Sequence, residues 1–160
     1  MIINKINIIS FAGLKDKEIN LEDKINLIYG ENEKGKSTIQ NFIRIWLYGM
    51  NSKRTKDLKS NDRVRFAPVD GEKIRGELYV THNNRKYIIR RGFGATKKDD
   101  TSEVLDAESG EIIADIPKDE PGKYFFNVNS ATFFKTLFIN QLGVAISKDK
   151  EEEIIDRAAN

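Results

Sequence analysis

A chain of 160 residues, 39% hydrophobic and 32% charged, is one domain or one lobe of a larger one, with too much apolar content for a disordered chain. Its 27 lysines and arginines against 25 aspartates and glutamates leave a net charge of +2, so bulk charge alone does not mark a nucleic-acid binder. The absence of cysteine excludes a disulfide framework, a thiolate metal site and a cysteine nucleophile, and the single histidine, His82, excludes a multi-histidine metal site.

No apolar run approaches the roughly 18 residues of a membrane span. Asn4, Lys5 and Asn7 interrupt the isoleucines of the first ten residues, which therefore lack the apolar core of a signal peptide. The expected location is the cytoplasm.

Ile2, Ile6, Ile8 and Phe11 predict a first strand, and Ile19 and Leu21 a second, antiparallel to it across a turn at Ala12-Gly13. Ile25 to Tyr29 is mostly apolar and predicts a third, buried strand that stops at Gly30. From Lys36 to Tyr48 the period changes. Ile39, Phe42, Ile43, Trp46 and Leu47 make one face of a helix that ends before Gly49. Residues 50 to 70 predict a loop. Ile74 to Val80 and Tyr87 to Arg91 predict a hairpin turning at Asn83-Asn84, since Asn tolerates positive φ. A second hairpin is expected from Glu103 to Asp106, through Ser109-Gly110, to Ile112 and Ile113. Pro117 to Gly122 predicts a loop, Ser130 a cap for a short helix carrying Phe133, Phe134 and Leu137, and Asp149 with Glu152 a capping box for a last helix.

One segment carries chemistry. Gly30-Glu31-Asn32-Glu33-Lys34-Gly35-Lys36-Ser37-Thr38 fits the pattern Gly-x-x-x-x-Gly-Lys-Ser/Thr, between a predicted strand and a predicted helix. Backbone N–H groups from Glu33 to Ser37 can curl around a phosphate, and the new helix adds unpaired amides and a positive dipole end. Lys36 can reach the β- and γ-phosphates, and Ser37 can offer its hydroxyl to Mg²⁺. Phosphoryl transfer also needs a metal-holding acid and a group that orients the nucleophile. No run of four apolar residues ends in Asp-Glu, and no Leu-Ser-Gly-Gly string occurs. Half of the machinery is present.

That incompleteness, with the loop Asn32 to Ser37, the strand-rich start and the string Phe138-Ile139-Asn140-Gln141-Leu142-Gly143, resembles the SMC-like ABC ATPases of the SbcC, RecF and YhaN branch, which act in DNA double-strand-break repair and chromosome maintenance. The resemblance implies a mixed α/β fold: the N-terminal lobe of a P-loop head, with an antiparallel β subdomain packed against the loop helix. Residues 1–147 would form that lobe and 148–160 the start of a helix at the base of a coiled-coil arm. It implies that Gly30 and Asn32 to Thr38 wrap the triphosphate of ATP, with Thr38 near the α-phosphate, and that Gln141 meets Mg²⁺ and the attacking water. Many relatives carry an Arg after the Phe of the first strand where Ala12 follows Phe11 here, with Lys15 as a substitute.

The implied partners are a C-terminal lobe of the same ATPase, a second head in a homodimer, double-stranded DNA and a nuclease subunit; a membrane is not among them. Hydrolysis would require the C-terminal lobe and head dimerisation, leaving the isolated chain inactive.

Lys53, Arg54, Lys56, Lys59, Arg63 and Arg65, against two acids, give residues 53 to 65 a local charge of +4 and could contact DNA phosphates without reading sequence. Arg85, Lys86, Arg90 and Arg91 could extend that face. The competing readings are a self-contained P-loop kinase or GTPase, disfavoured by strand-turn-strand units after the loop helix, and an interaction module that binds no nucleotide.

Overall fold

Alternating apolar residues assemble five antiparallel strands: β1 (Ile2–Phe11), β2 (Leu14–Asn20), β3 (Ile74–His82), β4 (Arg85–Phe93) and β5 (Thr101–Asp106), side by side in the order β2-β1-β3-β4-β5. These come from a computed structural model that describes residues 1–31, 35–51 and 61–138. Two compact units divide the chain, Met1–Val128 and Asn129–Asn160.

Register stacks Ile6 beside Leu78, Leu78 beside Ile89 and Ile89 beside Val104, placing four fully buried side chains in one row. Helix α1 (Lys36–Tyr48) covers that face with Ile39, Phe42, Ile45, Trp46 and Leu47. Its limits are those the periodicity predicts, although Ile45 rather than Ile43 completes the buried stripe. The other face is polar, as an antiparallel sheet permits. Lys5 lies 4.3 Å above the Tyr79 ring, and Asn7, Tyr79 and Arg90 all donate to the Glu77 carboxylate. Burial pushes the Glu77 carboxyl up, but those hydrogen bonds more than offset it and hold it below its ordinary value.

The hairpin turn at Asn83 and Asn84 has φ of 49° and 60°, the left-handed pair that a two-residue connection needs. Ala12, at φ 52°, opens the β1–β2 turn and donates its amide to Phe66 at 2.9 Å.

The predicted strand over Ile25 to Tyr29 is a correction. Among the described residues the segment pairs with no strand, and Ile25, Leu27 and Tyr29 are 97, 82 and 85% exposed. Asn26 closes a local loop instead, accepting from the Glu22 amide at 2.9 Å and donating to the Glu22 and Lys24 carbonyls. An apolar run becomes a buried strand only where a second surface meets it, and none of the described elements does.

Three smaller differences follow local hydrogen bonding. Within the expected loop, Asp62–Arg65 forms a short helix, α2, because the Asn61 side chain accepts from the Arg63 amide. The return after β5 reduces to one bridge, Leu105 to Ile112, because the Asp106 carboxylate takes the Glu108 and Ser109 amides and tightens the turn. Gly122–Phe126 is also helical, α3.

In the second unit, α4 (Ser130–Thr136) is capped one residue earlier than expected, by Asn129 accepting from Thr132 at 2.9 Å. The rings of Phe133, Phe134 and Phe138 cluster there at centroid distances of 5.7 to 6.0 Å. Gln141, the 147/148 boundary and the last predicted helix lie outside the described residues.

Candidate functional site

Gly35 stands at the N-cap of α1 with φ 87° and ψ 10°, a left-handed conformation that favours glycine. Its side is also filled: a Cβ there would meet Leu14 Cδ2 at 3.1 Å. The backbone angle is what calls for glycine, and a side chain there would also press on the Leu14 methyls of β2. Helix α1 has no side-chain cap and no acidic residue in its first turn. A helix N-terminus of this kind suits an anionic acceptor at its leading amides and positive dipole end.

The Lys36 side chain folds back over the segment before it. Its ammonium donates to the Gly30 carbonyl at 2.5 Å and to the Glu31 carbonyl at 2.6 Å. This joins the two described ends of the loop, Gly30-Glu31 and Gly35-Lys36; Asn32, Glu33 and Lys34 lie outside the described residues. Ser37 is exposed and Thr38 half-buried in the first turn of α1. A left-handed glycine, a helix start without a side-chain cap, a cation at the mouth and an exposed hydroxyl suit a polyphosphate with Mg²⁺. A bound nucleotide would be held by Gly35, Lys36, Ser37 and Thr38, and the ion by the Ser37 hydroxyl.

A polar chain runs from this turn to the base of the basic segment. The Ser37 carbonyl accepts from Asn41 at 2.8 Å, and Asn41 accepts from Arg44 Nε at 3.1 Å. Arg44 pairs with Asp62 at 2.8 Å, both largely buried, and Asp62 accepts the Asn51 amide at 2.7 Å. Asn51 also accepts the Asp62 amide at 2.8 Å, so the two ends of the stretch between them are clasped on α1.

Beside the loop, a cleft of about 280 Å³ opens between the β1–β2 turn (Ala12, Gly13, Leu14) and Pro68-Val69. It borders the loop through the contact of Leu14 with Gly35. Sequence reasoning missed Leu14, Pro68 and Val69, because isolated apolar residues beside Gly and Pro carry no pattern. Lys15 lines the same cleft, but its ammonium pairs with Asp70 at 2.8 Å and Glu72 at 2.7 Å. Hydrogen bonds to Asp70 and then Glu72 raise its pKa.

The basic residues separate into distinct environments. Lys53, Arg54, Lys56 and Lys59 lie outside the described residues. Arg65 is exposed, 5.1 Å above the Phe66 ring. Arg63 is a correction: it turns inward, binds both Asp100 oxygens at 2.8 and 2.6 Å and donates to the Gly94 carbonyl. On the hairpin Arg85, Lys86 and Arg90 are exposed, but the two arginines are engaged by carboxylates. Arg85 pairs with Asp106 at 2.6 Å, Arg90 with Glu77 at 2.8 Å, and Arg91 is buried.

Comparison with known proteins gives consistent matches. The family described as AAA domain matches residues 5–158. A DNA double-strand break repair Rad50 ATPase of Thermoplasma acidophilum is 32% identical over 142 residues, covering 89% of this chain and 15% of the relative. The protein of the same description from Thermoplasma volcanium is 30% identical over 168 residues, covering 100% of this chain and 18% of the relative. One from Pyrococcus abyssi is 28% identical over 93 residues, 58% of this chain and 10% of the relative. The chain thus spans less than one fifth of the length of these relatives.

Proposed function

The chain belongs to the AAA domain family, as the N-terminal part of an SMC-like ATPase head, and on that premise we propose that it binds ATP with Mg²⁺ at the Gly30–Thr38 loop, as one half of a DNA-repair ATPase. The observation that supports this best is the pairing of Lys36 with the Gly30 and Glu31 carbonyls beside the left-handed Gly35 cradle. The same ammonium can leave two neutral carbonyls for the more strongly charged oxygens of a β,γ-phosphate.

The triphosphate would lie along the α1 amides, and the cleft between Leu14 and Val69 would take the nucleoside. When bound, Mg²⁺ would neutralise phosphate charge beside Ser37, and Gln141 would approach the ion and the attacking water. Hydrolysis would await a C-terminal lobe and a second head, each nucleotide sandwiched between one loop and the facing head. DNA would meet the exposed part of the basic segment, including Arg65, and a nuclease subunit would complete the assembly. Among the described residues no helix is long and apolar enough to cross a membrane.

Mixing the chain with the separately expressed C-terminal lobe and titrating a fluorescent ATP analogue with Mg²⁺ tests this. Saturable binding, lost in Lys36→Ala, with hydrolysis only when both lobes are present, is the expected result. Turnover by the chain alone, or binding indifferent to Lys36→Ala, would sink the proposal.

A further inference from the structure

The C-terminal end of the loop helix is held by a charge from the sheet. Helix α1 has no basic residue in its last turn, so nothing within the helix complements its negative dipole end. Arg91, on β4, fills that role. Its Nη1 donates to the Ile45 carbonyl at 3.1 Å and to the Trp46 carbonyl at 3.2 Å, while its guanidinium lies 4.9 Å above the Phe93 ring. Ile45 also receives the Gly49 amide at 2.8 Å, and Gly49, at φ 80°, ends the helix beside Arg91.

The arrangement is costly for a purely packing role. Arg91 is 5% exposed, and its Nε is the one buried side-chain nitrogen or oxygen among the described residues without a hydrogen-bond partner. No carboxylate comes within ion-pair distance of it among the described residues; Asp119, Glu120 and Asp100 only line the polar cavity of about 340 Å³ at its side. Burial drives its pKa down to about 10 against the pull of those three acids. A buried charge left without a partner is destabilising, so packing alone does not account for an arginine at this place.

We infer that Arg91 is a positioning residue for the phosphate loop: by gripping the last carbonyls of α1 it sets the helix's axial register on β4, and so the position of the Gly35, Lys36 and Ser37 groups at the other end. A helix of this length is a rod of roughly 18 Å, stiff enough to carry a displacement from one end to the other. The inference rests on the nucleotide-binding reading for its functional meaning, but not for its geometry.

The test uses the full chain with Arg91→Met, Arg91→Lys, and Val104→Ala as a core variant on the edge strand β5 that leaves the Arg91 contacts in place, each assayed well below its melting temperature. Two readouts are taken: affinity for the fluorescent ATP analogue with Mg²⁺ in the presence of the C-terminal lobe, and the NMR amide shifts of Gly35, Lys36 and Ser37 in the free chain. Arg91→Met is expected to weaken binding about tenfold and to move those three amides. Arg91→Lys, which keeps a donor for both carbonyls, is expected to restore most of the affinity. Val104→Ala is expected to melt earlier yet change neither readout. If the unmodified chain binds no nucleotide, the nucleotide reading fails by itself, and the amide shifts alone decide the role of Arg91. Unmoved loop amides in Arg91→Met, or equal movement in Val104→Ala, would overturn the inference.

Discussion

The ring of Phe42 occupies the space that a side chain at Gly76 would need. A Cβ at residue 76 would fall 2.8 Å from Phe42 Cζ and 2.6 Å from the Asn7 carbonyl oxygen. The same glycine accepts the Trp46 indole N–H at 3.2 Å, and Phe42 and Trp46 stack at 3.7 Å. The loop helix therefore sits on the sheet at a point where the sheet has no side chain. Gly76→Ala is expected to destabilise the fold by about 1–3 kcal/mol through overpacking. Gly13→Ala, which meets no atom within 4 Å, is expected to be close to neutral. Chemical denaturation of both variants checks this, with the difference read in the midpoint at constant slope.

A second prediction concerns the clasp between α1 and α2. The Asp62 carboxylate pairs with Arg44 at 2.8 Å and accepts the Asn51 amide at 2.7 Å in a largely buried setting. Asp62→Ala withdraws the carboxylate from both donors, at an expected cost of about 3 kcal/mol. Asp62→Asn keeps an oxygen for the Asn51 amide and is expected to lose less. Urea titrations that place the two variants in the opposite order would contradict this account.

Patterns that repeat within a few residues were legible before any coordinates. The 3.6-residue period runs unbroken from Ile39 to Leu47, so α1 has the limits expected of it, and Gly49 ends it through a positive φ. Asn83-Asn84 announced its turn in the same way. In the phosphate-loop motif Lys36 meets its partners, Gly30 and Glu31, within the same few residues, whereas Gly35 faces Leu14 of β2, far off in sequence. Partner choice over long distances was not legible. Arg63 finds Asp100, Arg85 finds Asp106 and Arg91 finds the end of α1, and none of these pairings leaves a trace in spacing. A cluster of basic residues therefore looked like an open face, although Arg63 and Arg91 are internal struts and Arg85 is exposed but paired. The run Ile25 to Tyr29 failed for a related reason: its apolar content signals affinity for a surface without saying whether that surface lies in the same segment of chain.

Acid sensitivity follows from Asp106. The Ser109 amide, then Arg85 and the Glu108 amide, hold its carboxyl down to about 2 from an ordinary 3.8. A carboxyl depressed in the folded state adds stability above its unfolded pKa and loses it as pH falls through the folded one. Its contribution is thus complete above about pH 4 and disappears toward pH 2. Asp106→Asn is expected to melt earlier than the parent at neutral pH, with the gap closing across that window. Thermal melts across the window check it; a gap that stays constant down to acid would show that the charge of Asp106 is not the source.

The last prediction returns to the row of exposed apolar side chains before the loop. Ile25, Leu27 and Tyr29 alternate along an unpaired backbone segment that ends at Gly30, with Ile28 42% exposed beside them. Adjacent apolar side chains at this level of exposure, next to backbone groups outside any ladder, favour association with whatever apolar edge is available. In a solution of the chain alone, that edge is a second copy. Self-association that rises with concentration is expected by sedimentation velocity, and Leu27→Lys is expected to reduce it, since a charge on an open edge opposes edge-to-edge pairing. Leu27 is 82% exposed, so the substitution removes little packing and should leave the melting temperature within about 1 °C of the parent. When the C-terminal lobe is supplied, the same charge should impair its docking if that lobe covers this row. A chain that remains monomeric at every concentration tested, or a Leu27→Lys variant that associates as strongly as the parent, would place the sticky surface elsewhere.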